Sequence, residues 1–121
     1  MNTGDVPAFL SRRVPALAQV IDEEVDRLRR TYGTDMPLTD HILGTLLAPL
    51  TSRLLRSAAP DDAATLRSLF AALDELLDDP NPNMPDVVFV SFLEQLAQDP
   101  DDWERARAYM GERMRREMGS P

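Results

Sequence analysis

Residues 86–97 read Asp-Val-Val-Phe-Val-Ser-Phe-Leu-Glu-Gln-Leu-Ala, and the fold turns on whether Val87-Val88-Phe89-Val90 is a buried strand or the first turn of a helix. Branched and aromatic residues favour a strand. Yet Phe89, Phe92, Leu93, Leu96 and Ala97 recur at the three- and four-residue steps of one helix face, and no other segment alternates as a partner strand would. The segment therefore reads as a helix, and the fold as all-α. Its first half is apolar almost all round, because Val87 and Val90 fall off the Phe89 to Leu96 stripe. Such a helix is either central and covered on two sides, or an interface.

Just before it, Asp78-Asp79-Pro80-Asn81-Pro82-Asn83-Met84-Pro85 is a stiff polar loop in which three prolines exclude helix and two asparagines favour turns. Ahead of that loop, Leu66, Leu69, Phe70, Leu73, Leu76 and Leu77 form the clearest stripe of the chain, on a helix expected to be capped by Asp61. On the other side, Asp99-Pro100-Asp101-Asp102 is a strong helix start. A capping Asp is followed by proline at the first position and two carboxylates at the positive dipole end. Trp103, Ala106, Met110 and Met114 would face inward from this last helix, which is expected to stop at Gly119.

Nearer the N-terminus, a helix after Pro37 has Thr39 or Asp40 as candidate caps and carries Ile42, Leu43, Leu46, Leu47, Leu50 and Leu54. Gly44 and Pro49 predict a bend or break near Pro49. From Val6 to Tyr32 the stripe is Leu10, Val14, Leu17, Ile21, Val25, Leu28 and Tyr32. Pro15 either sits in the first turn of that helix or kinks it, and Gly33 stops it. The expected architecture is one domain, residues 1–121, of about five helices in antiparallel hairpins. Pro60-Asp61-Asp62 and Pro100-Asp101-Asp102 both open helices at a spacing near the HEAT repeat, which suggests HEAT-like pairing of the third and fourth helices.

With 43 % hydrophobic and 28 % charged residues among 121, the chain has the composition of a single globular core. It holds 21 acidic and 13 basic residues, a net charge of −8, so no electrostatic drive toward nucleic acid exists. Residues 61–102 concentrate the negative charge, with Arg67 as their sole base. All basic residues are arginine, which removes lysine mechanisms, and the absence of cysteine removes disulfides, thiolate nucleophiles and cysteine zinc sites. A cytoplasmic location is the expectation. Arg12-Arg13 resembles a twin-arginine signal, but the apolar stretch ends at Ile21 before Asp22, Glu23, Glu24 and Asp26, and no run suits a membrane span.

Catalytic signals are sparse. His41 is the only imidazole and stands at a helix start with no motif around it; there is no nucleophile elbow and no phosphate-binding glycine loop. No cofactor is expected. Glu23-x-x-Asp26 and Glu75-x-x-Asp78 place carboxylates in pairs on helix faces, a pattern that resembles the MazG-like all-α nucleotide pyrophosphohydrolases. That resemblance implies a Mg²⁺-dependent hydrolase using these four residues, the alternative to a non-catalytic role. Glu75 and Asp78, however, lie on the side of their helix away from the leucine stripe, toward solvent.

Asp74, Glu75, Asp78 and Asp79 end a helix, where like charge meets the negative end of the dipole. Carboxylates kept at that unfavourable end, beside a stiff loop, point to a basic protein ligand, with Asp86 and Glu94 on the next helix extending the surface. Replacing Asp78 and Asp79 together by Asn is expected to leave folding intact and slow association at low salt. The run from Leu66 through Leu77, the Asp78-Asp79-Pro80 turn and Val87-x-x-Val90-x-Phe92-Leu93-Glu94-x-Leu96 is similar to small all-α immunity-type proteins of bacterial polymorphic toxin systems. The resemblance spans residues 60–100. It implies a non-catalytic inhibitor that neutralises a cognate toxin domain, and an acidic surface suits a basic, phosphate-handling cleft. A third reading is a self-associating subunit, joined through Val87 to Val90 or through the Met-rich last helix.

Overall fold

Helix periodicity prevails over strand propensity in the decisive stretch: in the computed structural model, which describes residues 1–34 and 36–118, Met84 to Leu96 is helical throughout and no strand occurs among the described residues. A short 3₁₀ turn at Thr3–Asp5 leads into α1 (Val6–Arg13) and α2 (Pro15–Tyr32). There follow α3 (residues 38–56), α4 (Pro60–Leu77), α5 (residues 84–96), α6 (Pro100–Arg107) and α7 (Glu112–Met118). Seven helices thus replace the expected five among the described residues.

Both extra helices have local causes. Pro15 forces the residue before it out of helical geometry, and Val14 adopts φ −128° and ψ 76° with its side chain buried, so the first stripe is divided between two helices. Proline then occupies the first turn of α2, where its missing N–H costs nothing. At the other end of the chain, Ala108–Gly111 separates α6 from α7. The Gly111 N–H donates to the Asp74 carboxylate of α4, and a β-carbon on Gly111 would stand 2.4 Å from Asp74 Oδ2. A continuous helix there would forfeit that bond. The stop read at Gly119 lies outside the described residues.

The two helices with mixed patterns each contain a π-helical turn, Ile42–Leu47 in α3 and Phe89–Leu93 in α5. A π turn inserts one residue into the helix and rotates everything beyond it. Buried positions in α3 therefore run Ile42 and Leu43, then Leu47 and Ala48, then Thr51 and Leu55, while Leu46, Leu50 and Leu54 are only half-buried. In α5 the inner row is Met84, Val88, Leu93 and Leu96 with Phe92, and Phe89 is half-buried. The π turn of α3 lies directly upstream of Pro49, whose ring would meet the carbonyl one turn back in a regular helix. Of the bend or break expected near Pro49, the break does not occur: α3 continues through it, with the π turn directly upstream. The two π turns pack on each other, and Gly44 makes this possible: a β-carbon there would lie 3.0 Å from the Ser91 carbonyl oxygen.

One continuous core draws on all seven helices. Its centre is α4, whose Leu66, Leu69, Phe70, Leu73, Leu76 and Leu77 are all buried as their spacing predicts, and which packs on α1, α3 and α5. Phe70 meets Phe92 edge-on at 6.3 Å and stacks on Tyr109 at 6.1 Å. Met110, just before the last helix, and Met114, on it, are both buried in the core.

Helix starts agree with expectation only in part. Asp99 caps α6 by accepting from the Asp101 and Asp102 N–H groups. Helix α4, by contrast, begins at Pro60 without a side-chain cap, and Asp61 lies in its first turn. Neither Thr39 nor Asp40 caps α3, because both reach other segments: Thr39 Oγ1 donates to the Thr3 carbonyl at 2.7 Å, and Asp40 accepts from Ser91 Oγ at 2.6 Å. Tertiary bonds replace capping there.

Candidate protein-binding surface

The six candidate carboxylates divide into two groups. On α4, Glu75 pairs with Arg13 of α1 at 3.1 Å. One turn later, Asp78 pairs with Arg113 of α7 at 3.0 Å, and the same guanidinium donates to the Leu77 carbonyl. Asp79 accepts from the Asn81 N–H at 3.0 Å and from the Met1 amino group at 3.2 Å, and these bonds hold its carboxyl below the usual carboxylate range. Asp74 takes the Gly111 N–H; burial pushes its pKa up, against that bond, and the neighbouring Asp78 charge adds to the rise. The α4 carboxylates thus tie the end of their helix to α1, α7 and the N-terminal segment. That internal use accounts for acid at the negative end of a dipole without a ligand.

Asp86 and Glu94 differ. Both are exposed on α5, and neither makes a side-chain hydrogen bond or ion pair among the described residues. Between them stands Val90, 50 % exposed because the Phe89–Leu93 π turn leaves it outside the inner row. Val90 and Asp86 line a cleft of about 720 Å³, bounded by the segment after α2, the start of α3 and the exposed side of α5. Arg29, Met36, Asp40 and Val87 also line it. Val90, Tyr32 and Met1 are the large exposed hydrophobic residues among those described, and of the three Val90 lines this cleft. Apolar Met36, Val87 and Val90 beside charged Arg29, Asp40 and Asp86 give this cleft the make-up of a candidate interaction site. The exposure of Tyr32 is not visible in the sequence alone, since Tyr32 continues the α2 stripe, whereas Val90 falls off the Phe89 to Leu96 stripe already in the sequence.

The carboxylates of the hydrolase reading are not brought together. Glu23 accepts from Gln19 at 2.9 Å, Asp26 lines a smaller cleft beside Asp5 and Asp22, and Glu75 and Asp78 pair with arginines on different helices. Among the described residues no group of three or more His, Asp or Glu has the arrangement of a metal site. His41 is half-buried on α3, and its Nε2 has no hydrogen-bond partner among the described residues.

Asp102 is a site residue of another kind, read from sequence as a helix start only. Its side chain is 1 % exposed, yet it accepts from Arg56 at 3.1 and 3.0 Å, from Arg105 at 3.1 Å and from Ser52. Burial alone would raise its pKa; the hydrogen bonds from Arg56 and Ser52 and the charges of Arg56 and Arg105 outweigh it and hold the carboxyl below its ordinary value. The cluster joins α3 to α6.

No helix among the described residues is long and apolar enough to cross a membrane. No curated protein and no solved structure matches the chain. Residues 7–120 match the model of a family described as a domain of unknown function, DUF7674, and the chain belongs to that family.

Proposed function

We propose that this chain is a non-catalytic, cytoplasmic protein-binding module, an immunity-type protein or comparable acidic inhibitor, whose partner is a basic toxin or enzyme domain. The observation that carries the reading is the exposed side of α5. Asp86 and Glu94 make no internal pair among the described residues, and they flank a half-exposed Val90, which lines the cleft together with Asp86. Carboxylates that the fold does not use can speed encounter with a basic surface, and apolar side chains beside them supply contact area once the partners meet. The remaining candidates, Asp74, Glu75, Asp78 and Asp79, then contribute to the long-range field and to stability rather than to direct contact. HEAT-like pairing of α4 with α5 belongs to the same reading and is supported by their direct packing.

The test is affinity capture from the host lysate with the wild-type chain and with an Asp86→Arg/Glu94→Arg variant of confirmed fold. The expected result is one stoichiometric partner with a basic domain, held at low salt, released at high salt and absent from the variant. A bait that returns alone, or a partner indifferent to both substitutions and salt, contradicts the reading.

A further inference from the structure

The cleft beside α5 continues past the N-terminal 3₁₀ turn. A second, smaller cleft of about 260 Å³ lies against α1 and α2, and Gly4, Arg29 and Leu38 line both. The two therefore meet and form one furrow from Val90 on α5 to Val25 on α2. Nothing fills the junction: a β-carbon on Gly4 would meet no atom within 4 Å beyond its chain neighbours. The lining is sorted by burial. Val25, Met36, Leu38 and Val87 are half-buried and make an apolar floor. The carboxylates of the walls, Asp86 and Asp40 in the larger cleft and Asp5, Asp22 and Asp26 in the smaller, are all exposed, and Arg29 is the one base among the described lining residues. Asp40 and Asp22 each keep one oxygen on a serine, Ser91 and Ser11, which holds them in place and leaves the other oxygen for a cation. The Phe89–Leu93 π turn, a feature that gathers at functional sites, supplies Val90 and Ser91 to the larger cleft.

An apolar floor beneath acidic rims has a definite complement. In an extended chain successive side chains point to opposite sides, so alternating apolar and basic residues would lay the apolar ones on the floor. The long stems of arginine or lysine then bring their charged heads round to the rims. We propose that this furrow takes a short extended segment of the basic partner, with its cations held at both ends: by Asp86 and Asp40 in the larger cleft, and by Asp22 and Asp26 in the smaller. The proposal rests on the binding reading and narrows it from a surface to a segment. It fails separately from that reading, because a partner that docks as a folded face would still be captured from lysate while an isolated segment would not bind.

The test is fluorescence anisotropy of a labelled peptide, Arg-Leu-Arg-Leu-Arg-Leu-Arg, titrated with the full chain at low salt, with circular dichroism confirming that each variant is folded. The expected result is saturable binding of one peptide per chain. Serine in place of the leucines of the peptide should weaken binding by about tenfold or more, because the floor is apolar. Asp86→Asn and Asp26→Asn, one in each cleft, should each weaken it by about fivefold, whereas Asp61→Asn removes the same charge outside the furrow and should change it by less than about twofold. Gly4→Trp alters no charge but fills the junction, and should weaken binding by about tenfold. Absence of binding overturns the proposal. So does binding that ignores Asp26→Asn or a folded Gly4→Trp variant, which would confine the peptide to the larger cleft. Binding equally weakened by Asp61→Asn, or unchanged by the serine peptide, would reduce it to a response to net charge and overturns the proposal as well.

Discussion

Replacing Asp102 by Asn probes the one fully buried carboxylate among the described residues. The change keeps size and shape but puts an amide where the Arg56 and Arg105 guanidiniums and Ser52 now donate to a negative charge. A hydrogen bond to a charged group contributes about 1.5–3 kcal/mol, and breaking a wholly buried pair can cost about 3–5 kcal/mol. The arginines are 55 % and 47 % exposed, so water recovers part of their loss. The net expectation is about 2–3 kcal/mol, or roughly 8–12 °C in Tm for a domain of this size. Because the folded pKa is depressed, this stability is complete above the unfolded carboxylate value and fades as pH falls through the folded one. Thermal melts of wild type and variant should accordingly differ by a constant amount from pH 7 to about 5 and converge below about pH 4. A variant within about 2 °C of wild type at pH 7 would refute the reasoning, as would a gap unchanged at pH 3.

Two further substitutions separate the α4 carboxylates. Asp74→Asn should raise Tm at pH 7, since burial raises the Asp74 pKa and its ionised form therefore costs stability; the advantage should shrink as pH falls and wild type protonates, and an unchanged gap would contradict it. Gly111→Ala should lower stability by about 1 kcal/mol, because the added methyl displaces Asp74 and strips α7 of its acceptor; melts showing no loss would mean that Asp74 does not hold that helix.

The elements legible in sequence are those whose cause is local. The α4 stripe, the Asp99 cap with Pro100, the Pro15 boundary and the Gly33 stop each follow from residues within a turn of one another. What the sequence hides depends on distant partners. The π turns of α3 and α5 shift the buried row by a residue, and they are stabilised where the two helices meet at Gly44 and Ser91. The internal pairing of the α4 carboxylates depends on Arg13 and Arg113, which lie far off in the chain. Two signals were present. Gly111 interrupts the Met110 to Met114 stripe and marks the break between α6 and α7. Asp102 precedes buried Ala106 by four residues, which places it on the inner side of α6 rather than among its solvated acids.

The binding surface itself was half legible. Asp86, Glu94 and the Val87 to Val90 segment are identifiable from composition and periodicity, whereas the contrast between them and the α4 carboxylates is a matter of which arginines lie within reach. That contrast is the central claim, and pairwise neutralisation tests it most directly. Asp86→Asn/Glu94→Gln and Asp78→Asn/Asp79→Asn each remove two negative charges, so the long-range field changes equally and only position differs. Stopped-flow association with the partner captured by the wild-type chain should slow by about tenfold for the α5 pair at low salt, with Tm unchanged. For the Asp78 and Asp79 pair, Tm should fall while the association rate stays within about a factor of two. The reverse assignment, slowed binding from Asp78 and Asp79 with the α5 pair silent, would contradict the account.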